Sequence, residues 1–294
     1  MIRDFKNRRL DTFNPIRAYI HILFSLKGVV VLFRFIGIVL LKFFLLQYFE
    51  KIHIYRIPVK SVDHELDTKV PFREELTMLY LDFINYWVRP LSMMIKKFGH
   101  RKGVGLSVEY LNRIVTTYNE AYKVYSRNLT TTVRPKPQTK AVKNIQRVDP
   151  HYCCVPSLHI AIIVLTISFY KMLLNREDFS EDERKNWYDE IYSHGIKISE
   201  SVLYMKQHSV NCIPAAIFMM TVTFPDIMNR ELAEKMICDL FKNEDDVAEE
   251  NKNEIRRYIQ NFYNRMMDEC TIPEQWSQVV LDWLRTYVPY DPKY

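Results

Sequence analysis

Apolar residues recur along this chain every three to four positions almost from end to end. One early segment departs from that rule by being apolar on every side. Residues 28–49, GVVVLFRFIGIVLLKFFLLQYF, are about long enough to cross a bilayer at the ~1.5 Å rise per residue of a helix. Arg34 and Lys42 interrupt the run, each costing about 2.5–3.5 kcal/mol at mid-membrane on insertion scales. Lys27 and Arg34 share one face, so the same helix can instead lie in the interface with its cations at the headgroups. No small-residue cleavage site follows, which favours an uncleaved anchor over a removed signal. A soluble core helix would have to find partners for both cations.

Beyond this segment the period predicts helices. FREELTMLYLDFINYWV follows Pro71 and meets Pro90, which is expected to end or kink it. Leu111, Ile114, Val115, Tyr118 and Tyr122 form a stripe behind Ser107 as a cap. Ser180 and Glu183 make a capping box that opens a helix running to about Gln207. Further amphipathic stretches carry Leu232, Met236 and Leu240, then Ile255, Ile259, Phe262 and Met266. Thr271 to Glu274 reads as a second capping box before Trp276, Val280, Trp283 and Tyr287. No alternating strand stands out, so the predicted fold is all-α. It divides into a basic, membrane-associated segment over 1–60, a helical core over 61–228 and a charged helical extension over 229–294.

Composition narrows the chemistry. With 6 glycines in 294 residues and no glycine-rich phosphate loop, nucleotide cradles of the usual kinds are not expected. The net charge of +6 is concentrated in the first 27 residues and between Arg127 and Arg147, a stretch without an acid. These suit anionic headgroups and an anionic substrate respectively. The basic stretch lacks interleaved aromatics, so nucleic acid is not an expected partner. Five cysteines without a C-x-x-C pair argue against a disulfide framework or a zinc ribbon.

Two apolar helices are predicted to begin beside a histidine. In PHYCCVPSLHIAIIVL, Pro156 and Ser157 suit a helix start and place His159 in the first turn. In YMKQHSVNCIPAAIF, Asn211 is a cap, Pro214 fits the first turn, and His208 precedes the start. Helix N-termini expose unpaired N–H groups and partial positive charge, so two of them together would hold an anion. Taken alone, such a histidine is more often a hydrogen-bonded structural residue.

These strings resemble the type 2 phosphatidic acid phosphatase superfamily over roughly residues 120–225. Its P-S-G-H motif reads Pro156-Ser157-Leu158-His159 here, and CVPSLH and Lys206-Gln207-His208 look most like the inositol phosphorylceramide synthase branch. Its last motif, S-R-x5-H-x3-D, is matched by Ser201 and His208, with Val202 at the arginine and Cys212 at the aspartate. Its first, K-x6-R-P, is matched by Lys140 and Arg147, with Arg134-Pro135 as a rival. The resemblance implies a helical bundle and a metal-independent, cofactor-free phosphatase or phosphotransferase acting on a phospholipid or lipid phosphate. His208 would form a phosphohistidine, His159 would protonate the leaving oxygen, and Lys140, Arg147, Arg134, Lys206 and Ser157 would hold the phosphate. The family's aspartate fixes the tautomer of the nucleophile. Loss of the equivalent carboxylate in serine proteases lowers turnover about 10⁴-fold. Three outcomes stay open: Cys212 ionises and substitutes, another acceptor such as Asn211 or a distant acid serves, or turnover is lost and a phosphate pocket remains.

The expected location is the cytoplasmic membrane, with Met1–Lys27 on the cytoplasmic side. A mean hydropathy of −0.20 keeps a soluble acid phosphatase in view.

Overall fold

The computed structural model describes residues 8–291. The first seven residues, which carry part of the basic lead, and the last three lie outside the described residues. The chain is mostly helical. In order, the helices are α1 (Pro15–Leu23), α2 (Leu26–Val39), α3 (Leu45–Lys51), α4 (Thr77–Leu81), α5 (Phe83–Tyr125), α6 (Lys140–Val148), α7 (Leu158–Arg176), α8 (Glu181–Tyr204), α9 (Cys212–Thr223), α10 (Arg230–Asp239), α11 (Glu249–Glu269) and α12 (Trp276–Thr286). Two three-residue strands, β1 (Val59–Ser61) and β2 (Leu129–Thr131), pair in parallel and leave the architecture all-α as expected. They are too short for an alternating pattern to show in sequence.

Most helix starts follow from local chemistry. Ser180 Oγ and the Glu183 carboxylate cap α8 reciprocally, as the S-x-x-E pattern requires, and α8 ends at Tyr204. Three expectations are corrected. Pro90 sits inside α5 without ending it, and the break falls at Gly99, which takes φ +76°. There the two arms of α5 fold close: a Cβ on Gly103 would lie 2.4 Å from the Ile95 Cα, so only glycine fits. Ser107 is therefore mid-helix, its hydroxyl donating to the Gly103 carbonyl at 2.9 Å. At Thr271–Glu274 no capping box forms; a 3-10 turn, Pro273–Gln275, leads into α12 instead.

α7 is the central element, almost wholly buried and flanked by α5, α8 and α9. α11 and α12 pack on α9, and one apolar cluster extends from Leu10 to Leu284. Among the described residues, two helices could cross a membrane by length and composition. Leu158–Arg176 has mean hydropathy 1.7 but 78% of its most apolar stretch is buried, as in a core helix. Leu26–Lys51, α2 and α3 joined through one wide turn, has mean hydropathy 2.6 and only 17% burial. Its charges reach sideways to α5. Arg34 donates to Asn112 Oδ1 at 3.5 Å, and Lys42 donates to Asn119 Oδ1 at 2.6 Å beside the Tyr122 ring. The outer stripe is left apolar and exposed: Leu26, Val30, Phe33, Leu40, Leu41 and Phe44.

Candidate functional site

The loops before α7 and α9 are shaped by backbone chemistry. α8 closes with the amides of Lys206 and Gln207 donating to the Leu203 and Val202 carbonyls, each at 3.0 Å, and Lys206 at φ +52°. That is the left-handed helix stop usually taken by glycine. A lysine holds it here because its ammonium donates to the Asp67 and Val70 carbonyls. The Asp67 carboxylate in turn accepts from the Val210 amide at 2.8 Å. His208 is therefore displayed by a pinned loop. On the other side, Thr130 of β2 accepts from the Cys154 amide (3.3 Å) and the Val155 amide (2.7 Å), and Ser157 caps α7 through the Ile160 amide. The Ser157 amide reaches the Cys212 carbonyl at 3.5 Å, which joins the two helix starts.

Both predicted histidines stand at this junction. His208 Nε2 lies 3.3 Å from His159 Nδ1 and 3.2 Å from Ser157 Oγ, with the imidazole centroids 5.4 Å apart. Burial, reinforced by the neighbouring His208, pushes His159 down to about 3, so it is neutral near pH 7. Of the first amides of α7, that of Ile160 is taken by Ser157 Oγ and that of Ala161 by the Ser157 carbonyl.

The histidines close one end of a cavity of about 690 Å³. Its walls are chiefly Phe35, Phe43, Trp87, Tyr118, Ile145 and Ile162, and its mouth reaches the exposed Phe44, Leu81, Ile84 and Val148. A cavity of this size with few polar groups is of the kind that takes a mostly apolar ligand.

The expected phosphate-binding cations are not all brought here. Lys140 and Arg147 lie on the exposed side of α6, whose inner side gives Asn144, Ile145 and Val148 to the cavity. Both are exposed, and neither lines the cavity. Lys206 is committed to the Asp67 and Val70 carbonyls, away from the cavity lining. Arg134 stands just behind the wall, 3.4 Å from Gln207 Oε1 and 3.6 Å from the Asp149 carboxylate. Ser157 is in place. Among the described residues, no three His, Cys, Asp or Glu side chains are grouped to hold a metal ion.

Sequence reasoning missed a second cluster, Asp149, His151 and Cys154, in the loop before α7. His151 Nε2 is 2.7 Å from Thr132 Oγ1 and 3.5 Å from Cys154 Sγ, while its Nδ1 lies 3.5 Å from the Asp149 carboxylate. Burial alone would lower His151, but the Cys154 charge and its hydrogen bonds to Asp149 and Cys154 push it up to about 9. Burial alone would raise the Cys154 thiol. Its contacts with Cys212, His151 and His208 outweigh that and hold it well below the usual range. Cys212 behaves oppositely: burial and the adjacent Cys154 push it up, so it stays a neutral thiol. Such a loop has no period, and short-range contacts of this kind leave no sequence signal beyond the residue types.

No family model, curated protein or solved structure matches this chain.

Proposed function

We propose that this chain is a membrane-associated phosphatase or headgroup transferase of the type 2 phosphatidic acid phosphatase kind, acting on a phospholipid or lipid phosphate at the cytoplasmic membrane. The observation that carries the reading is the 3.3 Å approach of His208 Nε2 to His159 Nδ1 at two joined helix starts, at the end of an apolar cavity. In this reading His208 Nε2 attacks phosphorus and forms an N–P bond as the ester P–O bond breaks. His159 gives its proton to the leaving oxygen. A phosphate dianion within hydrogen-bond reach favours the charged form of His159 that this requires. Water, or an acceptor hydroxyl, then attacks phosphorus, the N–P bond breaks, and the released proton returns to His159. Charge on the transferring group is met by the first amides of α7 that Ser157 does not take and by the His151 imidazolium, with Arg134 acting from behind the wall. The exposed apolar stripe of α2 and α3 and the apolar cavity mouth would sit in lipid, so substrate would reach the histidines without leaving the bilayer.

A second reading is a binder of anionic phospholipid with little or no turnover. It is favoured by the outward placement of Lys140 and Arg147 and by the neutral thiol at Cys212. Phosphate release from phosphatidic acid vesicles, with EDTA present, tests the first reading. Slow release that persists in EDTA and vanishes in His208→Ala is expected, whereas release abolished by EDTA or equal in His208→Ala would overturn it. In the same assay Cys212→Asp is expected to raise turnover. Vesicle binding by both forms with turnover by neither would establish the second reading instead.

A further inference from the structure

His208 Nδ1 is buried and without a hydrogen-bond partner. An unmet buried polar group is costly, and here it belongs to the ring assigned as nucleophile. The nearby acceptors are committed elsewhere. Asp149 faces His151 and Arg134. Asp63 accepts from the Val133 amide and Ser61, and Asp67 from the amides of His64 and Val210. Asn211 is saturated: its Nδ2 donates to the Val62 carbonyl and the Tyr287 hydroxyl, and its Oδ1 accepts from Tyr258. Cys212 is held as a neutral thiol by burial and the adjacent Cys154, and a thiol accepts poorly.

Cys154 is the remaining neighbour. Its sulfur lies 3.5 Å from His151 Nε2, the residue lines the same cavity as His208, and the neighbouring Cys212, His151 and His208 hold the thiol below its usual range. The His151 and His208 rings are 6.4 Å apart, and Cys154, whose sulfur is beside the first, lines the same cavity as the second. We infer that Cys154, paired with His151, is the positioning residue that orients His208 in place of the aspartate missing at position 212. The inference rests on the proposed phosphoryl transfer at His208. In this arrangement the sulfur is an anion paired with the His151 imidazolium, and the unmet His208 Nδ1–H is the donor that turns onto it. With its proton held on Nδ1, His208 presents the Nε2 lone pair to the phosphate. As the N–P bond forms, positive charge develops on the ring beside the thiolate and is stabilised there. No bond to sulfur forms or breaks, and no electrons are transferred.

Three measurements in a Cys238→Ser, Cys270→Ser background test the inference. Iodoacetamide at neutral pH is expected to alkylate Cys154 faster than Cys153 or Cys212, and His151→Gln to remove that preference. The ¹⁵N ring spectrum of His208 is expected to show one tautomer, protonated at Nδ1, that is lost in the near-isosteric Cys154→Ser. Cys154→Ser should lower kcat by about tenfold or more with KM changed less than about twofold, and adding Cys212→Asp should restore most of the loss. A His208 ring spectrum unchanged by Cys154→Ser would overturn the inference, as would no preferential alkylation of Cys154. If the parent protein releases no phosphate, the transfer reading fails, while alkylation and the ring spectrum still decide whether Cys154 holds His208.

Discussion

Burial holds the Glu200 carboxyl up at about 7 from its ordinary 4.5, although the Phe241 amide donates to it. A carboxyl raised on folding binds its proton more tightly in the native state, so its contribution is fully present below the unfolded value. That contribution is lost as pH rises through the folded one. Glu200→Gln keeps an oxygen for Phe241 and removes the titration. Thermal unfolding should show a higher Tm for this variant at about pH 8 and little difference at about pH 4; an equal gain at both would contradict the assignment. Some of the candidate site was legible at this scale. His159 and His208 could be paired because both flank helix starts that proline, serine and asparagine announce. Lys140 and Arg147 could not be placed, because a short basic helix does not say in sequence which way its charged face turns once the helix is packed. Lys206 misled for a different reason: its left-handed backbone and its carbonyl partners come from residues more than a hundred positions away.

At the scale of elements, α2 and α3 differ from every buried helix in what their outer stripe faces. Arg34 and Lys42 are answered by Asn112 and Asn119, which lie seven residues apart on one stripe of α5. The remaining face carries Phe33 and Leu41 in the open, a surface of the sort that marks a membrane or partner contact. Phe33→Glu with Leu41→Glu should move the protein from the membrane to the soluble fraction of lysed cells, with its helical circular dichroism unchanged. Retention of the double variant in the membrane fraction would show that this stripe is not the attachment. The long apolar run was legible because its composition is extreme, and α8 because its capping box is local. The break in α5 was not, since Pro90 is the louder signal and Gly99 acts through a turn that only the packing of the two arms requires. The paired strands were missed because three residues are too few to alternate.

Over the whole molecule, three distant parts of the chain converge on one loop. Asn211 ties the start of α9 to Val62, to Tyr258 of α11 and to Tyr287 beyond α12, and Tyr287 also donates to the Asp63 carbonyl at 2.6 Å. The C-terminal helices, which show no chemistry of their own in sequence, thus brace the loop that presents His208. Across this frame we propose that two imidazoles, 49 positions apart, serve one phosphate. The most direct test is a titration of inorganic phosphate followed by ¹⁵N resonances of the imidazole rings. The rings of His159 and His208 should shift together and saturate at one concentration, and the His159 shift should be lost in His208→Ala. Shifts confined to exposed histidines, or at only one of the two rings, would contradict it.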